Sequence, residues 1–190
     1  MTLGACASYD LTALPMRDAE LYPRSRTERN ISVAAQAFSD PSRVRAYFGT
    51  NLLAYNVLPI EVTVSNHGDQ PIRVEPSEIL LMHGEEVVDP LPVGIVAQLP
   101  IRDRWFVSSA ARRQLREFYD ALSFKEATVA SGSTYHGVMF FGVPEPRSPI
   151  EKALHVWQPF SMPELYLTVA VEDENGAPLR FGPFGLLGTS

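Results

Sequence analysis

The stretch Leu58 to Leu81 constrains this chain more than any other. Leu58, Ile60, Val62 and Val64 are apolar, and Pro59, Glu61, Thr63 and Ser65 stand between them. A strict period of two predicts a strand with one face buried and the other wet. Asn66-His67-Gly68-Asp69 follows, with Gly68 expected to supply a positive φ. Ile72 and Val74 resume the alternation, and Ile79-Leu80-Leu81-Met82 reads as a more deeply buried edge. The expectation is a hairpin whose apolar face the rest of the chain covers.

The remaining sequence repeats this pattern in short pieces. Ile31 to Phe38 predicts a first strand with Val33, Ala35 and Ala37 on one face. After a turn at His83-Gly84-Glu85, Val87-Val88 ends that strand system, and Phe124 to Val129, Thr134 to Val143 and Ala153 to Trp157 read as further strands. Val138-Met139-Phe140-Phe141 is apolar on both faces, as in a central strand covered from two sides. Leu165, Leu167, Val169 and Val171 alternate up to Asp173-Glu174-Asn175-Gly176, a strong hairpin signal, and Leu179 to Phe181 returns. The 16 prolines and 12 glycines among 190 residues suit a fold with many turns. That length suits one domain.

Two helices interrupt the strands. Asp40-Pro41 predicts an N-cap followed by proline in the first turn. The short helix near 41–48 should bury Val44, Tyr47 and Phe48 and stop at Gly49. Ser108 or Ser109 should cap an inserted helix near 108–122, with Ala111, Leu115, Phe118 and Leu122 on its buried stripe. Val93 to Phe106 is apolar but without pattern.

Leu3-Gly4-Ala5-Cys6 resembles the lipobox of bacterial lipoproteins, in which the cysteine is lipidated and becomes the N-terminus. The resemblance implies lipidation of Cys6 and a basic, apolar leader ahead of it in the reading frame. Residues 1–29 then form the lipobox-like start and a flexible tether, or an arm hugging the surface, before a single domain over 30–190. Val62-Thr63-Val64-Ser65-Asn66, and Ser131-Gly132-Ser133 before Gly137-Val138-Met139-Phe140-Phe141, resemble the small immunoglobulin-like domains of bacterial envelope lipoproteins of unknown function. From about Asn30 to Phe181, that resemblance implies a mainly β, immunoglobulin-like antiparallel β-sandwich on the periplasmic side of the cell envelope. If Met1 is the true start, the location is cytoplasmic instead.

Little in the chain points to catalysis. A formal net charge of -6 argues against general nucleic-acid binding. Cys6 is the only cysteine, which rules out a disulfide within the chain. His67, His83, His136 and His155 show no metal-ligand spacing, so neither a metal nor a cofactor is expected. No G-x-S-x-G elbow or phosphate-cradling glycine loop occurs. The uneven feature is arginine: Arg102, Arg104, Arg112, Arg113 and Arg116 cluster in an acidic chain, with Trp105 beside them. These could contact anionic headgroups or an acidic partner, or form a solvated face balanced by Asp103, Glu117 and Asp120. The apolar Phe181 to Leu187 segment either packs on the sheet edge or offers a partner strand. The expected function is a non-enzymatic, lipid-tethered binding or scaffold module. The alternative is a soluble subunit of a larger assembly that uses the arginine helix or C-terminal tail as its interface.

Overall fold

The computed structural model describes residues 14–102, 107–143, 165–173 and 175–186. The expected strand at 153–157, Cys6, Arg104, Trp105 and His155 lie outside these residues. Among the described residues the fold is mainly β, with two antiparallel sheets and three α-helices. The first sheet has the order β1 (Ser25–Glu28), β2 (Ile31–Ala37), β3 (Val57–Asn66) and β7 (Ser133–Gly142). The second runs β5 (Glu86–Val88), β4 (Ile72–His83), β8 (Leu165–Glu172) and β9 (Pro178–Gly185). There β6 (Ala127–Val129) also pairs with β4. Side chains of both sheets meet in one apolar core.

The expected hairpin over 58–81 is not formed. β3 lies in the first sheet and β4 in the second, so the intervening residues cross between sheets. Buried Asn66 holds the crossing. Its Nδ2 donates to the carbonyls of Gln70 (2.8 Å) and Val129 (3.0 Å), and its Oδ1 accepts from the Gly68 amide at 3.0 Å. Gly68 is not among the glycines with positive φ. It serves close approach, since a Cβ there would stand 3.2 Å from Asn66 Oδ1.

The wet face predicted for β3 is also absent, because all ten of its residues are buried. Leu58, Ile60, Val62 and Val64 join the core. The other face is covered from two directions. At the Pro59 end, whose register partner is Phe140, Phe140 packs against Phe48 and Tyr119, with ring centroids 5.8 and 5.7 Å apart. These rings come from α1 (Pro41–Phe48) and α3 (Ser109–Leu122). At the Ser65 end the N-terminal arm lies across the sheet, and Ala19 donates its amide to Ser65 Oγ at 2.8 Å. Of the two readings of that stretch, residues 14–28 take the surface-hugging one. β1 joins β2 through Arg29 and Asn30, both at positive φ as a type I′ turn requires.

Helix ends follow local chemistry. Asp40 caps α1 by accepting from the Ser42 and Arg43 amides, and Gly49 closes it at φ 70°. A hydrogen bond from the Ser42 hydroxyl, and then those from the Ser42 and Arg43 amides, hold the Asp40 carboxyl below its ordinary value. Ser108 caps α3, accepting from Ala111 at 3.1 Å. The buried stripe of α3 centres on Leu115 and Tyr119, with Phe118 and Leu122 partly buried. Tyr119 was not on the expected stripe. Its ring reaches the core while its hydroxyl donates to the Phe48 carbonyl at 2.7 Å, which makes burial of a polar tip tolerable. In β4, Leu81 is buried but Leu80 is 45% exposed, so the expected buried edge is an ordinary alternation. Phe181, Phe184 and Leu186 are buried, which puts this part of the C-terminal segment on the sheet.

Candidate functional site

The unpatterned residues after Pro92 fold into α2 (Val93–Val96) and a 3-10 turn, Leu99–Ile101. Val96 and Pro100 are buried and anchor both pieces, leaving Ile95 52% exposed. Together with α3 they enclose an open cleft of about 790 Å³. Arg102 at the end of the 3-10 turn lines it, as do Arg112 and Arg116 of α3. The apolar lining comes from Ile95, Leu99 and Ile101.

The arginine cluster therefore divides. Arg113 faces Glu117 at 4.0 Å on an exposed side of α3 and belongs to a solvated, balanced surface. Asp120, expected to balance an arginine, pairs with Lys125 Nζ at 2.7 Å. Among the described residues no carboxylate lies within ion-pair distance of Arg102, Arg112 or Arg116. Arg112 and Arg116 are one helical turn apart, a spacing at which like charges cost a helix about 0.2–0.5 kcal/mol. A chain of net charge -6 has carboxylates to spare, yet none of those described relieves this repulsion.

A second polar group was not anticipated. Glu61, 5% exposed, sits mid-strand in β3. Its Oε1 accepts from the Tyr22 hydroxyl and lies the same 3.2 Å from His136 Nδ1. Burial, with the Glu61 carboxylate adding to it, pushes the Tyr22 phenol above its ordinary value. Nearby, Glu20 meets His67 at 2.7 Å. Burial opposes the ionised Glu20, but hydrogen bonds from Ser32 and His67 outweigh it and lower the carboxyl's pKa. These contacts fasten the arm to the first sheet. The one legible sign was Glu61 itself, a lone charge within the most apolar strand. His67, in the turn after β3 and half exposed, is the other partner of Glu20 in this fastening.

Among the described residues no three His, Cys, Asp or Glu side chains gather as metal ligands. Among them, too, no helix is long and apolar enough to cross a membrane.

No family model matches the chain, and no curated protein does. Solved structures similar to it are of low identity. The YjhA protein of Bacillus subtilis is 12% identical, with TM-score 0.41 over 81% of each chain. YcdA of the same species, described as a candidate lipoprotein, is 12% identical with TM-score 0.41 over 85% of this chain, which spans 38% of YcdA's length. A Listeria monocytogenes protein of unknown function is 12% identical with TM-score 0.40, covering 86% of this chain and 82% of its own. Likeness of this degree assigns this chain no activity.

Proposed function

We propose that the protein is a non-enzymatic binding or scaffold module of bacterial envelope lipoprotein type, tethered by a lipid on Cys6 and facing the periplasm. In this reading the two antiparallel sheets stack as an immunoglobulin-like β-sandwich, and the helices are additions that create a recognition surface. The observation that carries it is the open cleft between α2 and α3, lined by Arg102, Arg112 and Arg116, which pair with no carboxylate among the described residues. A cleft of that size falls in the range of ligand sites, about 300–1,000 Å³. The tether draws its support from Leu3-Gly4-Ala5-Cys6.

Intact-mass measurement of native protein from cell membranes tests the tether. A chain beginning at a diacylglycerol-modified Cys6, released to the aqueous phase by Cys6→Ser, is the expected result. An unmodified chain beginning at Met1 in the soluble fraction would overturn it. The alternative is a soluble subunit of a larger assembly. Its interface would be the arginine helix or the C-terminal tail, and burial of Phe181, Phe184 and Leu186 favours the helix.

A further inference from the structure

The α2–α3 cleft combines two kinds of wall. Arg102, Arg112 and Arg116 supply guanidinium groups, whose planar forks match phosphate and carboxylate oxygens. Ile95, Leu99 and Ile101 supply aliphatic surface, and Ile95 is half in water. Arg112 and Arg116 repel each other, and no described carboxylate balances either one or Arg102. An anion placed among the three removes that repulsion. A bare inorganic anion would leave the aliphatic wall wet, and a neutral hydrocarbon would leave the guanidinium groups uncompensated. A single molecule carrying an anionic head on an alkyl chain satisfies both.

We propose that this cleft binds a single-chain anionic amphiphile. Arg102, Arg112 and Arg116 hold its phosphate or carboxylate head, and Ile95, Leu99 and Ile101 receive its alkyl chain. The proposal rests on the binding-module reading for its biological setting and is independent of the lipid on Cys6. A mass measurement showing no lipid would remove the tether and leave the cleft's chemistry as it stands.

The test is calorimetric titration of the full chain with dodecyl phosphate below its micelle concentration. Parallel titrations use inorganic phosphate, a neutral dodecyl glycoside and an acidic peptide. Saturable one-site binding of dodecyl phosphate, at least about tenfold tighter than either inorganic phosphate or the glycoside, is expected. The double variant Arg112→Gln/Arg116→Gln should weaken it by about tenfold or more, the scale of losing charged hydrogen bonds. Ile95→Ser, at an exposed position, should weaken dodecyl phosphate while leaving inorganic phosphate unchanged. Arg113→Gln, off the cleft, should change neither. Four results would each overturn the proposal: no saturable binding, undiminished binding by the double variant, equal affinity for inorganic phosphate, or binding of the acidic peptide in place of the amphiphile.

Discussion

Glu61 reaches His136 at 3.2 Å along a diagonal of the β3–β7 ladder, because the residue directly opposite His136 is Thr63. The same carboxylate oxygen accepts from Tyr22 of the arm. One acid therefore joins two strands and the segment lying over them, in a place where an unpaired charge would be costly.

Glu61→Ala should destabilise the fold and loosen the arm together. Removing the carboxylate leaves Tyr22 and His136 without this partner, at about 1–3 kcal/mol for a buried group left unsatisfied. Chemical denaturation gives the loss, and hydrogen exchange at residues 19–28 gives the loosening. Exchange in the arm that matches wild type would show that the contact does not hold it.

Acid should act on the arm through Glu20. Its folded pKa is depressed, so its stabilisation is complete above the unfolded carboxylate value and is lost as pH falls through the folded one. Tyr22 runs the other way. Its phenol is raised, so its contribution is complete below the ordinary tyrosine value near 10 and is lost as pH rises through the folded value. Arm protection against exchange, corrected for intrinsic rates, should fall at both extremes relative to the β3 amides. A flat ratio from neutral pH down through the carboxylate range would contradict the Glu20 assignment.

Two glycines make a matched pair. A Cβ at Gly137 would stand 2.5 Å from Phe124 Cα and 2.7 Å from its amide nitrogen, both backbone atoms that cannot yield by a rotamer change. Gly137→Ala should cost about 1–3 kcal/mol, the range for overpacking, or roughly 2–4 °C in Tm for each kcal/mol at this chain length. At Gly94, in α2, a Cβ would meet nothing within 4 Å, so Gly94→Ala should be neutral or slightly stabilising. Thermal unfolding of both variants checks the order, and a Gly137→Ala protein as stable as wild type would refute the close approach.

Asn66→Ala should be among the most damaging polar substitutions in the chain. It strips hydrogen bonds from two carbonyls and one amide where the chain passes between sheets. Each buried group left unmet costs about 1–3 kcal/mol. Asn66→Asp should not rescue it, since a carboxylate cannot donate to the Gln70 and Val129 carbonyls. Denaturation midpoints of the two variants, expected well below wild type, provide the measurement.

Much of this molecule can be read from neighbouring residues. Asp40 and Gly49 bound α1, Ser108 starts α3, and the alternation at Leu165 to Val171 marks β8, because capping and side-chain periodicity are local properties of the backbone. Asn66 shows where locality stops. Its polar turn looks identical whether the chain doubles back in one sheet or crosses to another, and its acceptor at Val129 is 63 residues away. The cleft was half legible: the arginines stood out, but only folding separated Arg113, facing Glu117, from Arg112 and Arg116, which share the cleft lining with Ile95 and Leu99.

Residue order marked β2, β3, β7, β8 and both longer helices, since those choices are made within a few residues, but it left β1 and α2 unmarked. Folding settled which sheet each strand entered, which faces were covered, and which charges found partners. The Glu61 contacts span 39 residues to Tyr22 and 75 to His136. No periodicity encodes such pairings, because they arise only when the arm and β7 are brought to β3 by burial of the common core.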